Sequence, residues 1–251
     1  MYRPRRTRDL GNSFTFGGRI PGAVGLVLVL ILVATLGSWM MADRGLWAAL
    51  RSGSLLDGQV WRLVTYTLVQ GTPTELIFGG LAVYFFGPWT AMRYGERWFL
   101  GYLLLVSVGA GLVTHALGAV LGVPFGYLGV WPLVDGLVLL WALQNQSQQV
   151  LLMFVLPVSG RLLAIITIAT NALYALWGMS RGGLQGLLAF TPPLASLAIA
   201  WLVHRGGLGL PLRRWRLGLR EWRLERQLRR RSRHLSVVGK NGASRGKQWM
   251  N

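Results

Sequence analysis

The sequence predicts an all-α membrane protein: a bundle of six transmembrane helices followed by a basic amphipathic C-terminal helix on the cytoplasmic side. Three observations predict it. Of the 251 residues, 53% are hydrophobic and 14% charged, a balance that suits lipid better than water. Apolar runs recur at about the 20 residues that a helix needs to cross a hydrocarbon core ~30 Å thick, and backbone in lipid must bond within its own segment. The formal charge of +18 lies mainly at the two ends of the chain, unlike the basic face of a nucleic-acid-binding module. No nucleic-acid partner is therefore expected.

Three regions follow from the charge pattern. Residues 1–19 form a basic cytoplasmic leader with Arg3, Arg5, Arg6, Arg8 and Arg19, residues 20–205 the membrane domain, and residues 206–251 a basic tail. The first span is expected from Ile20 to about Met41, as a signal anchor, because the run exceeds the roughly 7–15 residues of a cleaved signal's apolar core. A polar loop carrying Arg44, Arg51, Asp57, Trp61 and Arg62 follows it. The second span is expected from about Gly71 to Trp89, the third from Trp98 to Val120, and the fourth from Leu128 to Leu143. Gln144 to Gln149 make a polar turn, and an apolar stretch with Pro157 and Arg161 leads to a fifth span over Leu162–Trp177. Ser180 to Gly183 form a short loop before a sixth span that closes near Val203. Lys and Arg favour the cytoplasmic side, so both termini are expected there, in a bacterial cell inner membrane.

In the tail, a helix over Leu212–Leu235 places Leu212, Trp215, Leu219 and Trp222 on one stripe and Leu217, Leu224, Leu228 and Leu235 nearly opposite. Arginines fill the space between, as in an interfacial helix on anionic lipid headgroups; the two stripes also permit a partner helix. Cysteine is absent, which excludes disulfides, zinc–thiolate sites and a cysteine nucleophile. Neither metal nor cofactor is expected.

From Gly58 to Gly95 the chain reads GQVWRLVTYTLVQGTPTELIFGGLAVYFFGPWTAMRYG, and here it resembles the rhomboid intramembrane serine proteases. Trp61-Arg62, Thr65, and the pair Gly87 and Gly95 carry the resemblance, with Gly126-Tyr127-Leu128-Gly129 as the glycine-rich opening of the fourth span and Leu156-Pro157-Val158 before the fifth. It covers about residues 20 to 205. The resemblance implies a six-helix rhomboid-like bundle, and glycines at 109, 111, 118, 122, 126, 129 and 136 are what close helix packing in lipid needs.

The same resemblance implies a serine at the start of span four and a histidine on span six, because a hydroxyl attacks only when a base takes its proton and fixed donors receive the oxyanion. The serine position is Leu128 and the histidine position falls near Ala189. The family's oxyanion residues map to Gln70, Glu75 and Gly79; glutamine still donates, an anionic glutamate repels an oxyanion, and glycine offers no side chain. A non-catalytic pseudoprotease is therefore expected, one that binds transmembrane segments of client proteins within the bilayer. Two other classes stay open: a serine-type endopeptidase with a non-standard site, and a small transporter using Asp135.

The remaining polar residues frame those alternatives. Gly178-Met179-Ser180-Arg181-Gly182 matches a Gly-x-Ser-x-Gly nucleophile pattern, whose mechanics require a strand-to-helix elbow that an interhelical loop lacks. His115, in the outer half of span three, is expected to bond a neighbouring helix. Asp135 near mid-membrane costs about 2.5–3.5 kcal/mol on insertion scales if ionised and unpaired. It is expected to pair with Asn171 on span five, or with Glu75 to mark a proton or ion path.

Overall fold

The computed structural model describes residues 20–41, 45–152 and 156–206. The expected leader and the expected tail helix over 212–235 lie outside the described residues. By compactness the chain divides at Arg205, and all of the helices below belong to residues 22–204.

Helix α1 (Gly22–Met40) begins after Pro21, whose fixed φ suits a helix start. It buries Ala23, Val24, Val27, Ile31, Thr35 and Ser38, the i, i+3/i+4 stripe of a one-sided helix. Its free N-terminal amides are capped from a distance: the Glu96 carboxylate accepts from the amides of Gly22 at 3.1 Å and Ala23 at 3.3 Å, where the helix dipole favours an anion.

The loop after α1 carries a two-residue strand, β1 (Leu50–Arg51), and a single helical turn, α2 (Arg62–Thr65). Helix α3 (Pro73–Tyr94) starts at the N-cap Thr72 and has Pro88 in its interior. Gly95, with φ +95°, turns the chain directly into α4 (Glu96–Leu121), a backbone conformation that residues with a Cβ rarely adopt. After the left-handed cap Gly122, β2 (Gly126–Tyr127) pairs antiparallel with β1, Leu50 opposite Tyr127.

Helix α5 (Trp131–Gln144) is the centre of the bundle. Every residue from Pro132 to Ala142 is buried, because α3, α4, α6 and α7 all pack on it. It starts three residues later than expected for the fourth span, at Trp131 with Pro132 in its first turn. The apolar stretch expected to lead into span five instead forms an antiparallel hairpin, β3 (Gln149–Leu152) with β4 (Leu156–Ser159). The fold is thus mostly helical rather than all-α, with four short strands among the described residues.

Helix α6 (Gly160–Ala189) breaks at Gly182 and Gly183, the latter at φ 56° and ψ −137°. The expected loop over 180–183 narrows to these two glycines. The chain folds back there so tightly that a Cβ on Gly186 would overlap the Gly178 backbone. Helix α7 (Thr191–His204) follows with Pro192 and Pro193 in its first turn. Among the described residues, three helices are long and apolar enough to cross a membrane, Gly22–Met40, Glu96–Leu121 and Gly160–Ala189, and Trp131–Gln144 is a shorter apolar one.

Candidate functional site

Residues 62–71 carry little regular structure yet much of the segment is buried against the helices. Backbone of that kind persists in a membrane protein only where other protein groups satisfy it. Side chains from two helices do so. From α1, Thr35 donates to the Leu68 carbonyl at 3.2 Å and accepts from the Gln70 amide at 3.1 Å, while the Trp39 indole donates to the Gln70 carbonyl at 2.9 Å. From α4, the Ser107 hydroxyl donates to the Leu63 carbonyl at 2.8 Å and lies 3.2 Å from that of Thr67.

Tyr66, fully buried, donates to the Ser107 carbonyl at 3.0 Å. Burial raises its phenol above the ordinary tyrosine pKa, so it stays a neutral donor. None of Thr35, Trp39, Tyr66, Thr67 or Ser107 stood out in the sequence. Their partners lie 31 to 44 residues away for the cross-element bonds, and a lone Ser or Thr in an apolar run carries no mark of what it will meet.

Gln70 is the hub. Its side chain is fully buried; the amide oxygen accepts from the Val130 amide at 2.8 Å, and the amide nitrogen donates to the Thr67 carbonyl at 3.2 Å. It therefore joins the first loop to the start of α5. Gly79 closes the same junction from α3, since a Cβ there would overlap the Val130 side chain. Glu75 is spent on capping: its amide donates to the Thr72 hydroxyl at 3.2 Å and its carboxylate accepts from the Gly71 amide at 3.0 Å, a close variant of the reciprocal capping box. Leu128 is half-buried just before Gly129, whose amide donates to the Tyr66 carbonyl at 2.9 Å. Gly126 lies in β2, and Ala189 is the half-buried last residue of α6. The structure brings Gln70, Gly79 and Gly129 together around the 128–130 segment, with a Cβ on Gly129 falling 3.9 Å from both the Gln70 oxygen and the Tyr127 hydroxyl.

Arg62 fixes the other end of the loop. One terminal nitrogen, Nη1, donates to the carbonyls of Leu46 at 2.7 Å and Ala49 at 2.6 Å, short as charge-assisted bonds are. Trp61 beside it is 51% exposed, the placement of an interfacial anchor.

Two polar groups sit elsewhere. Asp135 is buried on α5 with the Asn171 side chain of α6 as its polar neighbour; the Asn171 amide donates to the Thr167 carbonyl at 2.9 Å. On α4, His115 Nε2 lies 3.2 Å from Ser54 Oγ and its ring edge meets Phe125. That Ser–His proximity was not foreseen. Ser54 is buried, and its hydroxyl reaches the Arg51 carbonyl at 2.7 Å, which competes for the proton a base would take. Ser180 lies on the helix, its hydroxyl donating to the Trp177 carbonyl at 2.8 Å, and so is not on an elbow.

Residues 24–201 match a family described as eukaryotic integral membrane protein (DUF1751). A comparison with curated proteins finds no match. The family match corrects two expectations. The rhomboid assignment is overturned, since the family matched is a different one. Among the residues that suggested it, Arg62 anchors a loop, Gly87 lets Val24 approach and Gly95 turns the chain between two helices, and those are packing duties rather than marks of a protease. The bacterial inner membrane is overturned as well, because the family is eukaryotic; that the chain is integral to a membrane stands.

Proposed function

Because the chain belongs to the eukaryotic integral membrane protein family DUF1751, we propose that it is a non-catalytic membrane module that binds transmembrane segments of client proteins. The observation that carries the proposal is the way α6 is held. Before the break at Gly182, its buried and half-buried residues Gly160, Leu163, Ala164, Thr167, Asn171, Ala175 and Gly178 form one narrow stripe, with Asn171 beside Asp135 in the middle. The rest of this segment up to Gly182 is exposed, including Ile165, Ile168, Leu173, Leu176 and Trp177. Small and polar residues at a seam are the means by which helices associate in lipid, and a polar pair in such a seam can exchange partners with a polar group on an incoming helix.

The absence of catalysis in this reading is supported by how the polar side chains are used. Gln70, Glu75 and Arg62 are committed to backbone groups. The position of Asn171 beside the buried Asp135 carboxyl likewise favours a structural role over a transport site.

The architecture that accompanies this function has six crossings: α1, α3, α4, α5, residues 160–181, and residues 184–204. The basic sequence beyond residue 205 adds attraction to anionic lipid headgroups. An even number of crossings puts both termini on one side, which reporter fusions at the two ends test; opposite sides would refute the count. The binding function is tested by a photo-crosslinking amino acid at Leu173 on α6, compared with the same residue at Val29 on α1, in native membranes. Discrete adducts with membrane proteins at Leu173 but not at Val29 are expected, and lipid adducts alone at both positions would refute it.

A further inference from the structure

A cavity of about 590 Å³ opens between residues 52–56 of the first loop and the C-terminal half of α4. Leu56, Ala116, Ala119 and Phe125 form apolar walls, and Ser52 and His115 are the polar side chains that line it. Among the described residues no Asp, Glu, Lys or Arg lines it. Its mouth continues into the outer surface of α4, where Leu112, Leu117, Val120 and Leu121 are exposed; in an integral membrane protein that surface meets acyl chains.

Size decides what enters. A helix with its side chains is about 10–12 Å across and rises 5.4 Å per turn, so two turns fill on the order of 1000 Å³, more than the cavity holds. A flexible unbranched chain fits, and the volume lies in the ordinary range of about 300–1000 Å³ for a small-molecule site. We propose that the cavity binds one acyl chain of a membrane lipid, entering from the lipid-facing side of α4 beside His115. The proposal is independent of client binding and stands without it.

The test uses the full chain reconstituted in phosphatidylcholine vesicles whose lipid carries a diazirine midway along one acyl chain, with adducts mapped by peptide mass spectrometry. Adducts at Leu56, Leu112, Ala116 or Ala119 are expected to exceed those on the exposed face of α1 at Leu26, Val29 and Val33. Ala119 is exposed, so Ala119→Trp fills the cavity without entering the core and should lower its adducts to the α1 level while the α1 adducts persist. Ala116→Leu is a milder second variant that should lower them in the same direction. Cavity adducts no denser than those on α1, or adducts that survive both substitutions, would overturn the proposal.

Discussion

Replacing Arg62 by methionine keeps a long stem in place and removes the two bonds of the guanidinium. The carbonyls of Leu46 and Ala49 then lose donors at 2.7 and 2.6 Å. Hydrogen bonds to charged groups contribute roughly 1.5–3 kcal/mol each. Leu46 is exposed and its carbonyl can turn to water, whereas Ala49 is 6% exposed and cannot. One bond is therefore lost in full and the other in part, about 2–4 kcal/mol in all. At about 2–4 °C per kcal/mol for a chain of 150–250 residues, Tm should fall by roughly 4–16 °C. Trp61→Ala, at a residue half exposed, removes only partial burial and should cost about 1 kcal/mol. Thermal unfolding in detergent, followed by tryptophan fluorescence, reads both. An Arg62→Met protein that melts within about 1 °C of the unaltered one, or a Trp61→Ala effect larger than that of Arg62→Met, would refute the loop clamp.

Three further perturbations probe the junctions. Gln70→Leu keeps the side-chain bulk but orphans the buried Val130 amide, so it should destabilise by about 1–3 kcal/mol; an unchanged Tm would show that α5 does not depend on this bond. Gly79→Val forces a side chain into Val130 and should cost about 1–3 kcal/mol by overpacking, with a wild-type melting curve as the contrary result. A double-mutant cycle on Asp135→Ala and Asn171→Ala, read by unfolding in mixed micelles, should return a coupling of about 0.6 kcal/mol and at most ~1.7 kcal/mol, the range for polar pairs between membrane helices. Strictly additive effects would mean that the pair does not hold α6.

The long apolar helices were legible because their ends are marked in the sequence. Pro21 starts α1, Gly95 separates α3 from α4, and Gly122 stops α4. Asp135 announced itself by its cost in an apolar run, and it is buried on α5 with Asn171 as a polar neighbour. The β3–β4 hairpin was not legible, since a run of four to eight apolar residues reads equally as a strand or as part of a helix. Nor were the bonds that secure residues 62–71, because Thr35 and Ser107 become meaningful only when folding places them beside Gln70 and Leu63. The rhomboid resemblance misled for a related reason. Trp61, Arg62 and the glycines report how a loop is anchored and how closely helices approach, and such solutions do not identify the chemistry of a site.

We propose that this membrane protein holds other transmembrane helices without cutting them. A photo-crosslinker at Leu173, followed by mass spectrometry of the captured protein, tests it most directly, because one spectrum reports both where the partner is touched and whether its chain is whole. The account predicts a full-length partner joined to Leu173 through a residue in one of its own transmembrane segments. A partner shortened by a new terminus inside that segment, or joined only through a soluble domain, would contradict it.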